Sequence, residues 1–208
     1  ASPFRDMKID LNASRTETKA KSIQYMYEGM PTTQSGTFTM TTISLKSTLE
    51  SIGDANNGYY SASFEKFCGL LDSYRQQAEA QYGTVDPYHA TVMIPAFLSA
   101  YTSSGGGLSF FPALTKLLPN WTIRYTGLSK LPWFRDVFKS VTINHAYKSI
   151  YAVGSYTAKA GTTSLIGYSV PTVSLNETFS PLLGIDLTFN NNLTAKLEFR
   201  TTRALNLS

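Results

Sequence analysis

The sequence has little charge, one cysteine and no long apolar run. Charged residues make up 15% of its 208 residues, against roughly 25% in average soluble domains. Because Cys68 is the only cysteine, the chain can form no intrachain disulfide and no cysteine-based zinc site. No stretch of about 18 apolar residues occurs, so no transmembrane helix is predicted. If the chain crosses a bilayer, it must do so with strands closed into a barrel.

The motifs of common catalytic sites are also missing from the sequence. His89 and His145 are its only histidines, and no HExxH or GxSxG pattern occurs. The glycines at 105–107 are not followed by the Lys-Ser/Thr pair that completes a phosphate-binding loop. We therefore predict no catalytic, cofactor-binding or metal-binding residues, no cofactor and no enzymatic activity.

The net charge of +4 does not predict a nucleic-acid-binding protein, because the basic residues are not clustered. A phosphate-binding surface gathers Lys and Arg on one face. Here the excess of basic over acidic residues is distributed along the chain, and Lys19 and Lys21 lie beside Glu17. We expect no nucleic-acid partner.

Alternation of apolar and polar residues is the main positive signal, and it is clearest after the asparagines at 190–192. There Leu197 and Phe199 point one way while Lys196 and Glu198 point the other, because successive side chains of a strand leave opposite faces. A soluble sandwich would bury the apolar face against a second sheet. An outer-membrane barrel would turn that face to lipid and line its lumen with the polar one. The pattern alone is compatible with both.

Two sets of residues follow from this alternation if the strands belong to a barrel. The polar phase would face the lumen and the apolar phase would face lipid. Arg203 departs from the pattern because it shares the apolar phase of Leu197, so it would have to lie beyond the hydrocarbon band. The predicted lumen-facing residues are Lys8, Asp10, Arg124, Lys196, Glu198 and Arg200, and the predicted lipid-facing residues are Ile9, Leu11, Trp121, Ile123, Leu193, Leu197 and Phe199.

The periodicity divides the chain into three blocks. Residues 1–50 alternate as a strand hairpin, residues 51–119 change to helical spacing, and residues 120–208 return to alternation as two hairpins. Within the last block, residues 157–181 are predicted to form a polar connection. The helical block is typical of a plug-like insertion in a barrel, and equally of helices that cover a sheet.

Two helices are predicted in the middle block. Apolar residues recur at helical spacing over 64–74, with Ser63 as a cap and Gly83 as a stop. A second helix is predicted over 91–101, where Pro95 is tolerable only in the first turn.

Five blocks of the sequence, in one order, closely resemble the SprA/Sov family. Any one of these blocks alone would be weak evidence for the family, but together the five blocks span nearly the whole chain. The blocks are FRDMKIDL at 4–11, MIPAFLSAY at 93–101, NWTIRYTGL at 120–128, VTINHAY at 141–147 with VGSY at 153–156, and FSPLLGID at 179–186.

This resemblance implies a function in protein secretion. The family supplies the outer-membrane translocon of the type IX secretion system in Bacteroidota, and some members are linked to gliding motility. It implies a segment of a very large antiparallel transmembrane β-barrel, with about six strands from the C-terminal portion and an inserted helical region. The implied location is the bacterial outer membrane. The implied partners are outer-membrane lipid, the rest of the parent barrel, secreted cargo proteins, and accessory or plug proteins.

One alternative of another class stays open from the residues alone. A secreted soluble all-β module for binding or adhesion would show the same alternation, with its apolar faces packed sheet on sheet. The two hypotheses differ in what Leu197 and Trp121 contact, which is lipid in a barrel and protein in a soluble module.

Overall fold

A computed structural model describes residues 5–50 and 53–208 and is mainly β. Residues 1–4, which include the start of the first predicted strand segment, lie outside the described residues. Within the described part there are seven strands, where about six were expected, and four α-helices. They are β1 (Met7–Asn12), β2 (Arg15–Ile23), β3 (Thr32–Thr41), α1 (Leu45–Thr48), α2 (Ala62–Tyr82), α3 (Ala90–Tyr101), β4 (Asn120–Tyr125), α4 (Pro132–Arg135), β5 (Phe138–Lys159), β6 (Tyr168–Phe189) and β7 (Thr194–Leu207).

The strands form one antiparallel sheet that is not closed on itself. Strand β5 pairs with β4, β3 and β6, while β1 pairs with β4, β2 with β3, and β7 with β6. Among the described residues, β1, β2 and β7 each have one strand partner. The predicted class, a mainly β chain with antiparallel strands and some helices, is therefore confirmed.

The chain folds as two compact units that do not follow the three sequence blocks. Strands β5, β6 and β7 contribute residues to both units, so each unit combines segments that are far apart in the sequence. Unit 1 comprises the described residues up to Ala13 with Pro119–Ser149 and Asn176–Ala204, and unit 2 comprises Ser14–Leu118, Ile150–Leu175 and Leu205–Ser208.

Helix α2 in unit 2 begins two residues earlier than the sequence predicts. The Ser61 side chain, and not Ser63, caps the helix by accepting a hydrogen bond from the Phe64 N–H. The Ser63 N–H is instead bound by both carboxylate oxygens of Glu50, at 3.0 and 3.1 Å. Hydrogen bonds, first of all from the Ser63 side chain, hold the pKa of Glu50 below its ordinary value. Gly83 ends the helix as predicted, with a φ of 82°.

Helix α3 is buried on nearly all sides and carries Pro95 in its interior. The expectation that this proline must lie in the first turn was wrong. The helix already begins at Ala90, and its packing in the core of unit 2 outweighs the lost backbone hydrogen bond. Within residues 5–50 and 53–208, no helix combines the length and the apolar character needed to cross a membrane.

The core of unit 2 lies between the two long helices and one face of the sheet. Phe38 of β3 and Tyr151 of β5 are fully buried and belong to the same apolar cluster as Phe67 of α2 and Phe97 of α3. The Phe38 and Phe111 rings pack at 5.4 Å between centroids. Helices therefore cover one face of the sheet in this unit.

The predicted polar connection over 157–181 was wrong, because most of it is strand. Strand β5 continues to Lys159, and β6 already begins at Tyr168. Alternate residues of the early part of β6 are buried, including Val173 and Leu175. The Thr, Ser and Asn residues between them made this stretch look like a loop, but they lie on the other face of a long strand.

Candidate functional site: the two-faced sheet of unit 1

The strand register in unit 1 brings the predicted apolar residues onto one face. Ile9 lies opposite Ile123, and Leu11 lies opposite Trp121. Trp121 is in turn opposite Tyr147 of β5. Directly opposed residues in an antiparallel pair share a face of the sheet. We call the face that carries these side chains the apolar face of unit 1.

The predicted polar residues of β1 and β4 lie together on the other face, which we call the polar face. Lys8 lies opposite Arg124, and Asp10 lies opposite Thr122. The Nζ atom of Lys8 is 3.0 Å from Oδ2 of Asp10, so the acidic residue offsets the two opposed cations.

Strand β7 repeats this separation of charge from apolar groups. Glu198 binds both Lys196 at 2.8 Å and Arg200 at 2.6 Å, and the three residues alternate along one side of the strand. Leu197 and Phe199 point the other way, and each is 62% exposed. Leu193 is also exposed and lies in the turn just before β7.

A hydrogen-bonded network shows that the apolar side chains of β7 belong to the apolar face. The Tyr147 hydroxyl donates to Oε1 of Glu177 at 2.5 Å, and Arg203 binds Oε2 of Glu177 at 3.0 Å. Tyr147 lies on the apolar face, and Arg203 shares its side of β7 with Leu197 and Phe199. The network therefore crosses three strands on the apolar face.

Glu177 is a buried charge in otherwise apolar surroundings. It is 1% exposed, while Arg203 is 21% exposed. Burial of an unpaired carboxylate would be costly, so the ion pair and the tyrosine hydrogen bond are what allow it here. The departure of Arg203 from the alternation is visible in the sequence, but its partner Glu177 was missed. The available signal was the position of Glu177 in the same alternating phase as Val173, Leu175 and Phe179.

Aromatic rings surround this network. Trp121 stacks on Tyr147 with 4.4 Å between ring centroids, and Phe179 lies 4.9 Å from the same tyrosine. The Nδ1 atom of His145 is 2.6 Å from the carbonyl oxygen of Leu182. Each such aromatic pair adds about 0.5–1.5 kcal/mol beyond the apolar area that it buries. This part of the apolar face is consequently well packed.

Other parts of the apolar face are uncovered. Leu11 is 65% exposed, and the exposed Leu197 and Phe199 lie on β7, an edge strand among the described residues. These exposed large apolar side chains therefore share one face of the sheet.

A cleft of about 610 Å³ opens on the polar face of unit 1. Most of its lining residues belong to the polar phase of the four strands β1, β4, β5 and β6. The polar face is therefore concave at this point. The polar side chains that line the cleft are Asp10, Asn12, Asn120, Thr122, Lys148, Thr178 and Ser180.

The described residues contain no group of three or more His, Cys, Asp and Glu side chains placed to hold a metal ion. The geometry of unit 1 is that of a surface with two chemically different faces. No family model matches the chain, and no curated protein matches it either.

Proposed function

We propose that this chain forms part of the wall of a protein-conducting channel in the bacterial outer membrane, of the SprA/Sov type. The channel would export folded cargo proteins in the type IX secretion system. The observation that carries the proposal is the sheet of unit 1, which has a partly uncovered apolar face opposite a charged face with a concave cleft. A channel wall needs these two faces, because one meets lipid and the other meets water.

Strand length supports this proposal. Strands β5 and β6 have 22 residues each. At about 3.3 Å per residue each strand extends about 73 Å. A tilt of about 45° would leave about 50 Å along the membrane normal, against about 30 Å of hydrocarbon. Each strand is therefore long enough to cross a bilayer and continue outside it. We propose the lipid-facing band in unit 1, because in unit 2 helices cover the face of the sheet that carries Phe38 and Tyr151.

The buried ion pair on the apolar face is compatible with contact with lipid. A charge on such a face must be paired and shielded. Glu177 meets this requirement through Arg203 and Tyr147, so the wall can carry a carboxylate without exposing it to hydrocarbon.

The strand edges support the rest of the parent barrel as the first proposed partner. Lipid cannot satisfy the backbone groups of an unpaired strand, so the edge strands β1, β2 and β7 need neighbouring strands. The remaining proposed partners are outer-membrane lipid, secreted cargo, and accessory or plug proteins that control passage. The mechanism is conduction and gating without covalent chemistry. The water-lined wall would include Lys8, Asp10, Arg124, Lys196, Glu198 and Arg200.

Single cysteines at two neighbouring positions test the proposal in the full-length parent protein. Cys68 is exposed, so it is first replaced by serine. Leu197→Cys then reports on the apolar face, and Lys196→Cys is its matched control on the polar face. We expect a lipid-soluble thiol reagent to label position 197 and a water-soluble reagent to label position 196, with the parent protein in the outer membrane.

A secreted soluble binding or adhesion module is the second candidate. The observation in its favour is the helical cover on the sheet of unit 2, which is how soluble proteins bury an apolar strand face. In that case the parent protein stays in the soluble fraction, and position 197 either reacts with the water-soluble reagent or is shielded from both reagents. This result would overturn the channel proposal.

A further inference from the structure

The end of unit 1 at which β4 leads into β5 and β6 leads into β7 carries four aromatic side chains in a row. Each ring contacts the next, with centroids 4.3, 5.9 and 4.8 Å apart. The first of them is strongly exposed, and so is Leu193 in the neighbouring turn. The rings belong, in order, to Trp133, Phe134, Phe138 and Phe189. We call these four residues the first aromatic cluster.

A second aromatic cluster lies farther along the same sheet, around Tyr147. Trp121 and Phe179 both pack on the Tyr147 ring, and the His145 ring lies 6.4 and 6.0 Å from these two neighbours. Leu11, directly opposite Trp121, is exposed beside them. We call the four ring-bearing residues the second aromatic cluster.

The two clusters are separated by about the height of the apolar band of an outer-membrane barrel. Phe179 and Phe189 are ten residues apart along β6, which is about 33 Å at about 3.3 Å per residue. Strands of such barrels tilt by about 35–45°, so this length projects to about 25 Å along the membrane normal. The apolar band of these barrels is about 25 Å tall, with aromatic residues at both of its boundaries. The clusters therefore have the spacing of the two lipid–water boundaries.

Exposed apolar side chains lie on the apolar face between the two clusters. They include Leu183 of β6 and Leu197 and Phe199 of β7. A Cβ added at Gly184 would lie 3.5 Å from the Cβ of Asn144, which is on the polar face. Leu183 must therefore point to the apolar face, because neighbouring side chains of a strand leave opposite faces.

Two exposed cations accompany the first cluster. Arg135 belongs to α4, and Lys139 follows at the start of β5. The Nζ atom of Lys139 is 3.3 Å from Oδ1 of Asn192, which places this cation beside the last turn. Asp136 lies between them in the sequence, so the two cations outnumber it by one charge. Basic side chains at the surface of a membrane attract the anionic phosphate groups of lipid headgroups.

We propose that the two aromatic clusters lie at the two lipid–water boundaries of the channel wall, and that Arg135 and Lys139 bind lipid headgroup phosphates at the first one. This inference rests on the proposed function, because it sets the depth of the same wall in the membrane. The occupant is lipid and not a protein partner, since aromatic residues bound the exposed apolar side chains on both sides at bilayer spacing. Arg203 then lies at the second boundary, as its departure from the alternation requires.

Quenching of a fluorophore by spin-labelled lipids measures the depth of each cluster. The full-length parent protein, with Cys68→Ser, carries one labelled cysteine at a time in vesicles of phosphatidylethanolamine and phosphatidylglycerol. Trp133→Cys reports on the first cluster, Leu11→Cys on the second, and Leu183→Cys on the band between them. We expect positions 133 and 11 at least about 12 Å from the bilayer centre and position 183 within about 5 Å of it. Lys196→Cys, the control on the polar face, should be quenched by iodide in water and not by the lipids.

The lipid composition around position 133 tests the two cations. Headgroup-labelled phosphatidylglycerol should quench the fluorophore there about fivefold more effectively than equally labelled phosphatidylcholine, because one net cation favours an anionic lipid by about that factor. Arg135→Gln with Lys139→Gln should abolish this preference and leave the depth of position 133 unchanged. The matched control, Lys21→Gln with Lys46→Gln, removes two exposed lysines of unit 2 and should change neither quantity.

Two results would overturn the inference. One is the same depth for positions 133, 183 and 11, and the other is an unchanged lipid preference after loss of both cations. Labelling of position 197 from lipid and of position 196 from water would then leave the channel proposal standing. Absence of lipid quenching at all three depth positions would overturn the channel itself. If Trp133→Cys fails to assemble, Val137→Cys, exposed at the same end of unit 1, gives the same comparison.

Discussion

Removal of Arg203 should destabilise the fold because it leaves Glu177 buried without its cation. Arg203→Met keeps the long apolar stem and deletes the charge. Breaking a buried ion pair by removing one partner costs about 3–5 kcal/mol. Arg203 is 21% exposed, so solvent already weakens the pair. The Tyr147 hydroxyl also continues to donate to the carboxylate. We therefore expect a loss of about 2–4 kcal/mol in the free energy of unfolding.

A double replacement distinguishes the effect of the Glu177 charge without Arg203 from the effect of lost packing. Glu177→Met with Arg203→Met removes both charges and keeps the side-chain volume, so it should recover most of the loss, because an apolar pair avoids the desolvation cost. Tyr147 then lacks its acceptor, which leaves about 1 kcal/mol unrecovered.

Tryptophan fluorescence during urea unfolding measures these changes. Trp121 stacks on Tyr147 next to the network, and Trp133→Phe makes it the sole tryptophan. A double variant as unstable as Arg203→Met would refute the reasoning, because the loss would then come from packing and not from the broken ion pair. A change below about 0.5 kcal/mol in the single variant would refute it as well.

Three further predictions concern other parts of the chain. Gly36→Ala should destabilise the fold by about 2 kcal/mol, because a new Cβ would lie 2.0 Å from the Thr18 carbonyl oxygen; urea unfolding measures this. Glu50→Gln should cost about 0.5 kcal/mol at neutral pH, since the carboxylate binds the first turn of α2. The folded-state pKa of Glu50 is lowered, so this contribution is complete above the ordinary carboxyl pKa of 4.5 and is lost as pH falls through the folded value; unfolding of both proteins across pH 2–7 measures it. Asn192→Ala should cost about 1 kcal/mol, because φ is 65° at this position, and thermal unfolding measures it.

Each of these predictions has a control or a contradicting result. Gly69→Ala is the control for Gly36, since its new Cβ meets nothing within 4 Å and it lies within α2; it should be neutral or stabilising. A constant stability difference between Glu50→Gln and the unchanged protein down to pH 2 would contradict the role of the carboxylate. For Asn192, glycine at the same position should be tolerated, and equal losses for alanine and glycine would contradict the argument from φ.

Local patterns in the sequence determined much of the fold. The alternation predicted β1, β4 and β7 and the faces on which their side chains lie. The asparagines at 190–192 predicted the last turn, where Asn192 has the positive φ that such turns require. These features could be predicted because each depends on residues that are close together in the chain.

Long strands with hydroxyl-rich faces were harder to recognise. The start of β6 resembles a loop because Thr, Ser and Asn residues are interleaved with its apolar ones, and burial of Val173 and Leu175 depends on distant helices. The alternation of buried and exposed residues along β5 also shifts by one position. The cause is a bulge in which Gly154 and Ser155 together face Thr37 of β3. No local period predicts such a shift.

The candidate site shows the same division between sequence and tertiary structure. The sequence by itself determined which residues of each strand share a face, since side chains alternate along any extended chain. Only the tertiary structure decided that Arg203 meets Glu177, that Trp121 stacks on Tyr147, and that helices cover the sheet of unit 2 but leave Leu197 and Phe199 exposed in unit 1. These outcomes depend on strand register and on contacts between distant segments, and neither is encoded in the period of any one strand.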